Sequence, residues 1–270
     1  MSELLGVHFT AFGAAAMRAR HLIVDGEPKI LEDTFAQRLI GWDDDQIVTQ
    51  TNGIAYNIWV LRGRFAEDRL AEALAFGVRQ YVVLGAGLDS YALRQRAALN
   101  DLTIFEVDDP PLQNWKRNRF KELGIESPIN LRFAPCDFEV ASIADVLDGA
   151  GFDRSASAVV SWLGVTQYLT HLAIAETLRW VASLASGSEL VMGFVVPGAE
   201  AERHKAIQAA HGTRFETFFT PEEISDVLTK AGLVDVFHLT PEQAHATYFV
   251  NRSDGLVASQ VEQLVVAKTK

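Results

Sequence analysis

Gly85, Gly87 and Asp89 fall within the run Tyr81-Val-Val-Leu-Gly-Ala-Gly-Leu-Asp-Ser-Tyr-Ala-Leu-Arg94, and Phe105-Glu106-Val107-Asp108 follows about twenty residues later. The first run reads as a buried strand ending in a glycine-rich turn that feeds a helix. Such a turn would offer bare backbone N–H groups and a helix N-terminus to a small ligand. An acid at the end of the next strand suits ribose hydroxyls. Strand, glycine turn, helix, strand, acid is the layout of a Rossmann-type site for an adenine nucleoside cofactor.

The residue types within the turn narrow the ligand. A dinucleotide fingerprint wants a third Gly or Ala at position 90, beside the pyrophosphate. This chain has Ser90 preceded by Asp89. A carboxylate repels a pyrophosphate and welcomes the ammonium of an amino acid, so the pair favours S-adenosylmethionine over NAD. A tight strand-to-helix turn with no ligand is the purely structural alternative. Glu106 is the natural partner for the ribose hydroxyls. Asp108 and Asp109 are alternatives for that role, and also suit a strand end or the start of a helix.

Other strand ends hold further candidates. Ala134-Pro-Cys-Asp-Phe138 would present Asp137 to an exocyclic amine and Phe138 to the face of a base. The same residues suit a turn with a helix cap at Asp137, and both readings stay open. Arg62 and Arg64 precede the first strand on a helix; either guanidinium can match a carboxylate bidentately, and both also suit a solvated helix face. In Ser161-Trp-Leu-Gly-Val-Thr-Gln-Tyr-Leu169, Trp162 and Tyr168 would wall the site or belong to the core.

These groups need a scaffold. Strand candidates lie at 80–84, 102–107, 129–134, 157–163, 188–196, 233–238 and 261–268. Helical candidates lie between most of them, at about 90–98, 110–123, 139–148, 171–185, 199–211 and 221–231, with residues 10–41 and 56–76 helical ahead of the first strand. Near-continuous apolar strands alternating with helices predict a parallel sheet covered on both faces. Pro110 and Pro111 suit a helix's first turn. Thr220-Pro221-Glu222-Glu223 is a capping box, and Gly232 is placed to end its helix. The reading is an α/β, Rossmann-like single domain over 1–270, with residues 1–76 as a helical cap, 77–270 as the core and a substrate-side insertion at about 197–220.

Bulk properties limit the function classes. The chain has 270 residues and a net charge of −11, a poor match for nucleic acid, which needs clustered Lys and Arg. No apolar run approaches the roughly 18 residues of a membrane span. Cys136 is the lone cysteine, which excludes an intramolecular disulfide. No basic region followed by an apolar stretch opens the chain, so a cytoplasmic location is expected.

The motifs together resemble the leucine carboxyl methyltransferase-like branch of class I S-adenosylmethionine-dependent methyltransferases. The resemblance rests on Val83–Arg94, on Phe105-Glu-Val-Asp-Asp-Pro110 with Gln113 and Lys116, on Thr10-Ala11, Arg18-Ala19 and Arg62, on Ser161–Leu169, and on Tyr248-Phe-Val-Asn-Arg252. It implies a seven-stranded sheet whose last strand is antiparallel. It also implies Arg62 on the cofactor carboxylate, Gly85 and Asp89 near its amino-acid end, Glu106 on the ribose, and Asp137 with Phe138 at the adenine. Many members carry a glutamate at the cofactor-side position held here by Leu163. The acid that often precedes the glycine motif is replaced by Val83.

Methyl transfer from a sulfonium needs an aligned, nucleophilic acceptor and exclusion of water. A carboxylate acceptor needs no base, whereas a phenol or alcohol does. His8, His21, His204, His211, His238 and His245 are scattered without a partner acid at motif spacing, so no catalytic base is assigned and a carboxylate, or a readily ionised phenol, is favoured. Arg214, Tyr248 and Arg252 are the candidate acceptor-binding groups, with Arg203, His204 and Lys205 nearby in the insertion; helix surface and core packing are their bland alternative. The expected acceptor is a small molecule or peptide, with no metal, nucleic acid or membrane partner. An NAD-dependent oxidoreductase and a catalytically silent cofactor-binding regulator are the competing readings.

Overall fold

A computed structural model describes residues 7–52, 57–95, 101–210 and 212–270. Four helices come first: α1 (Val7–Val24), α2 (Ala36–Ile40), α3 (Asp44–Gln50) and α4 (Asn57–Ala75). Then strands and helices alternate: β1 (Gln80–Leu84), α5 (Tyr91–Arg94), β2 (Thr103–Asp108), α6 (Pro110–Glu122), β3 (Leu131–Pro135), α7 (Ile143–Gly149), β4 (Val159–Trp162), α8 (His171–Ala182) and β5 (Glu189–Val195). The chain finishes with α9 (Ala199–Ala210), α10 (Pro221–Ala231), β6 (Val234–Leu239), α11 (Pro241–Ala244) and β7 (Glu262–Lys268).

The seven strands form one sheet in the order β3-β2-β1-β4-β5-β7-β6. The pairs among β1 to β5 are parallel, and β7 runs antiparallel between β5 and β6. The expected seven strands with an antiparallel last strand are therefore present. The direction of winding reverses between β1 and β4, so a crevice opens beyond their carboxyl ends.

Period-two alternation sends side chains to two cores. Tyr81, Val83, Ile104, Val159 and Val191 face α1 to α4. Val82, Leu84, Phe105, Val107, Val160, Trp162 and Met192 face α7, α8 and α10. Helices cover both faces, and the N-terminal helices share a core with the sheet. Among the described residues no helix is long and apolar enough to cross a membrane.

The helical reading of residues 10–41 is corrected. Helix α1 stops at Val24, ahead of Asp25, Gly26 and Pro28, and an irregular stretch runs to α2. Of the apolar residues in that stretch, Ile30, Leu31, Leu39 and Ile40 are still buried and Phe35 is half-buried. Two short helices escape the periodicity reading, yet each carries a capping box: Asp43 with Gln46 at α3, and Thr240 with Gln243 at α11. The helix expected at 90–98 is described only to Arg94, with a turn at Gln95.

One buried carboxylate ties the cap to the glycine turn. Asp33 accepts from Arg18 Nε at 2.7 Å, from Ser90 Oγ at 2.5 Å and from the N–H groups of Phe35 and Ala36. Arg18 also donates to the carbonyl of Leu88 at 2.8 Å, inside the turn. Arg94 donates to Ser90 Oγ at 2.9 Å and forms an ion pair with Glu67 of α4. Burial pushes the Asp33 carboxyl up, but Arg18, Arg94 and Ser90 together hold it below its ordinary value. That stability is fully present above the ordinary carboxylate range and is lost as pH falls through the lowered value. Asp33→Asn should destabilise the fold by about 3 kcal/mol at neutral pH, because two buried guanidinium groups lose a counter-charge. The gap between variant and parent in urea unfolding should shrink in acid, below about pH 4; a gap that stays constant there would assign the loss to something other than charge.

Candidate functional site

The crevice between β1 and β4 is built by close approach at glycines. Gly85 has φ +68° and Gly87 has φ +52°, in the left-handed region that favours glycine. A Cβ on Gly85 would collide with Val165, and one on Gly87 would lie 3.3 Å from Ala11 Cβ of the cap. A Cβ on Gly164 (φ +69°) would collide with the guanidinium of Arg62. The turn after β1, the turn after β4, helix α1 and helix α4 thus meet where side chains are missing.

The expected bare N–H groups are a correction. Gly85 and Ala86 donate to the Val107 carbonyl at 2.8 and 3.1 Å, and Gly87 donates to the Asp108 carboxylate. Helix α5 is a single four-residue turn whose Leu93 and Arg94 N–H groups bond to the carbonyl of Ser90. The turn therefore contributes close approach of neighbouring segments rather than donors. Asp89 is half-buried and accepts from the Tyr91 N–H at 2.8 Å.

The three acids of β2 divide. Glu106 is buried and forms an ion pair with Lys116 of α6 at 2.6 Å, and the Gln113 side chain donates to its backbone carbonyl. Burial pushes its carboxyl up to about 7 despite the pull of Lys116. Glu106 thus sits in the interior with its carboxylate engaged by Lys116. Asp108, two residues on, holds the Gly87 N–H with one oxygen and the Asp109 N–H at 2.7 Å with the other. Burial raises its carboxyl, and those two N–H groups partly offset the rise. It is the acid at the turn. Asp109 stands at the start of α6, as its bland reading had it.

Arg62 reaches the same crevice from α4. Its Nη1 donates to both oxygens of Glu262, at 3.0 and 3.1 Å, and its guanidinium stands 5.9 Å from the Trp59 ring. Arg64 leaves α4 about 200° further round and binds Asp68 at 2.8 Å, so it does not share the crevice. Leu163, just past β4, is a half-buried apolar group packed on the cap side. Phe138 is half-buried on the opposite face, and Asp137 is exposed with one oxygen on the Glu139 N–H at 2.9 Å. The Asp137 turn displaces the following helix, which starts at Ile143 under the cap of Ser142.

The insertion closes over the turn after β4. The N–H of Glu216 donates to the Gln167 carbonyl at 2.7 Å, and Thr217 Oγ1 donates to the Leu169 carbonyl at 2.6 Å. Phe215 meets Tyr168 edge-on at 5.2 Å and Phe218 lies 6.0 Å from Phe215. Arg214 is exposed next to them. Burial pushes the Tyr168 phenol up to about 12, with Gln167 and Arg62 pulling the other way. It stays protonated at neutral pH.

Two expected acceptor groups lie elsewhere. Tyr248 donates to Asp68 at 2.9 Å, and Arg252 pairs with Asp254 while donating to the carbonyls of Gly26 and Pro28. With Arg64 they line a groove of about 490 Å³ on the Arg64 side of α4, away from Arg62. Arg252 serves there as a staple between the C-terminal segment and the cap. Among the histidines, His21 is buried between Asp25 and the Ile30 N–H, and His238 meets Ser225 at 2.7 Å; both are structural. His211 and the side chain of His8 lie outside the described residues. His171, which sequence reasoning passes over, opens α8 with its ring edge-on to Phe219. Glu262, also unflagged in the sequence, is the acid that structure adds to the crevice.

Residues 11–182 match the leucine carboxyl methyltransferase family. The chain belongs to that family. A Bacillus subtilis (strain 168) protein provisionally named S-adenosyl-L-methionine-dependent methyltransferase YktD is 33% identical over 77% of this chain and 71% of its own length. A provisionally named S-adenosyl-L-methionine-dependent methyltransferase of Mycobacterium leprae is 28% identical over 76% of this chain and 70% of its own. Among solved structures, a DUF574 family protein from Streptomyces avermitilis superposes with a TM-score of 0.62 at 17% identity, covering 94% of this chain and 97% of that one. This member of the leucine carboxyl methyltransferase family is therefore an S-adenosyl-L-methionine-dependent methyltransferase. The dinucleotide reading falls, and Ser90 instead holds the cap through Asp33. The chemistry of the crevice residues fits the cofactor: an anchored carboxylate at Asp108 and a guanidinium at Arg62 stand beside the glycine turn.

Gly85→Ala should lower stability by about 3 kcal/mol, from the collision with Val165 plus the left-handed backbone. Adding Val165→Ala should restore the steric share and leave about 1–2 kcal/mol, read by denaturant unfolding. If the second substitution recovers nothing, the two residues do not touch.

Proposed function

We propose that this methyltransferase acts on oxygen, with the carboxylate of a small molecule or peptide as acceptor. Arg214 carries the reading. It is an exposed cation beside Phe215, whose ring packs on Tyr168 in the turn that follows β4. An apolar aromatic wall with a cation at its mouth suits an acceptor with an apolar body and an ionised carboxylate. The Tyr168 phenol, protonated at neutral pH, offers a hydrogen bond rather than a base. The acidic chain, at net charge −11, supports a small acceptor over a nucleic acid.

When bound, S-adenosyl-L-methionine supplies an electrophilic methyl group on sulfur. The residues of the chain orient and enclose. Asp108, fixed by two backbone N–H groups, would take the ribose hydroxyls, and Arg62 the cofactor carboxylate. The insertion, stitched to Gln167 and Leu169, would exclude water from the acceptor side. A carboxylate acceptor arrives ionised, so no proton need be removed before attack.

Two measurements test this. Labelled methyl groups transferred to the acceptor should be released as methanol by mild alkali, as esters are and ethers are not; alkali-stable label would reject the carboxylate. Arg214→Ala should raise the acceptor KM about tenfold or more with the cofactor Kd unchanged. For the cofactor side, Asp108→Ala should weaken S-adenosylhomocysteine binding about 10-fold or more, the scale of a hydrogen bond to a charged group. Glu106→Gln should shift the thermal midpoint and leave that affinity within a factor of about three. The reverse pattern would return the ribose to Glu106.

A further inference from the structure

The carboxylate of Glu262 occupies the crevice beside Arg62. It comes from the first residue of β7, the strand inserted beside β5. Its Oε1 lies 2.9 Å from where a Cβ on Gly193 of β5 would stand, and the Gly164 N–H lies 3.4 Å from that point. Gly193, without a side chain, thus gives this carboxylate its floor, near the Gly164 backbone just past β4. It is half of an ion pair whose two side chains are 12% and 10% exposed.

The pairing is one-sided. A single nitrogen of Arg62, Nη1, serves both oxygens of Glu262. Nε and Nη2 of Arg62 have no partner among the described residues. A fork left with free donors is set to take a second carboxylate. Placing a carboxylate there alone would crowd two negative charges around one guanidinium in a poorly solvated spot. An amino-acid zwitterion removes the conflict, because its ammonium falls to Glu262 as its carboxylate falls to Arg62. Four alternating charges then sum to zero. Asp89, the other acid at hand, already has one oxygen on the Tyr91 N–H.

We infer that Arg62 and Glu262 form one receptor for the zwitterionic end of the cofactor, with Glu262 accepting the ammonium. This rests on the crevice binding an adenosyl cofactor, and the test separates the two ideas. Isothermal titration would compare four compounds on the full chain: S-adenosylhomocysteine, its analogue without the carboxylate, its analogue without the amine, and methylthioadenosine, which lacks both. Glu262→Gln should weaken S-adenosylhomocysteine and the amine-only analogue about 10-fold or more, and leave the carboxylate-only analogue and methylthioadenosine within a factor of about three. Arg62→Ala should weaken the carboxylate-bearing pair instead. Methylthioadenosine serves as the internal control for fold, since a damaged core would weaken all four. Equal losses for all four, unchanged or tighter S-adenosylhomocysteine binding by Glu262→Gln, or the same selective loss from Asp89→Asn instead, would overturn the receptor. A parent protein that binds none of the four would overturn the cofactor site itself.

Discussion

Close approach without side chains is the constraint on which this site depends. Gly85, Gly87, Gly164 and Gly193 stand where the β1 turn, the β4 turn, helix α1, helix α4 and strand β5 converge. Three of the four also need a positive φ. Each contact brings in a side chain from another segment: Val165 over Gly85, Ala11 near Gly87, Arg62 against Gly164 and Glu262 over Gly193. The crevice is therefore a product of long-range packing. The glycine turn on its own would be an ordinary strand-to-helix bend.

Charge supplies the second level of organisation. The chain is acidic overall, yet its buried acids are individually matched. Asp33 answers Arg18 and Arg94, Glu106 answers Lys116, Glu189 answers Arg69, and Glu262 answers Arg62. Buried pairs add little net stability but penalise any arrangement that leaves one member unpaired. Glu106–Lys116 joins neighbouring elements, whereas Asp33–Arg94, Arg69–Glu189 and Arg62–Glu262 each tie the N-terminal cap to a later segment and so specify how the cap sits on the sheet. Asp108 is different. Its partners are backbone N–H groups, which fix its position without neutralising it.

Much of this was legible beforehand, and the misses have physical causes. The strands were visible because both faces of the sheet are covered, so that β1, β4 and β5 are buried throughout, while the edge strands β3 and β6 alternate. Residues 25–35 misled because their apolar side chains are buried from an irregular backbone, and periodicity reports burial before conformation. Glu106 and Asp108 point to the same face of β2, so alternation cannot separate them; only the position of Lys116 on α6 does. Tyr248 and Arg252 belong to the Arg64 side of α4, a fact about helix phase and long-range packing that motif spacing does not carry. Glu262 had no local signature at all, because its meaning comes from a strand pairing across the sheet.

That pairing has a consequence for biogenesis. Arg62 and Glu262 are separated by 200 residues, and β7 enters the sheet between β5 and β6 only after both have been made. A nascent chain paused between β6 and β7 would hold the glycine turn and the cap yet expose the unladdered edges of β5 and β6 and an unanswered guanidinium. Exposed strand edges invite pairing with other chains, and the crevice is completed only when the ribosome has delivered this late strand.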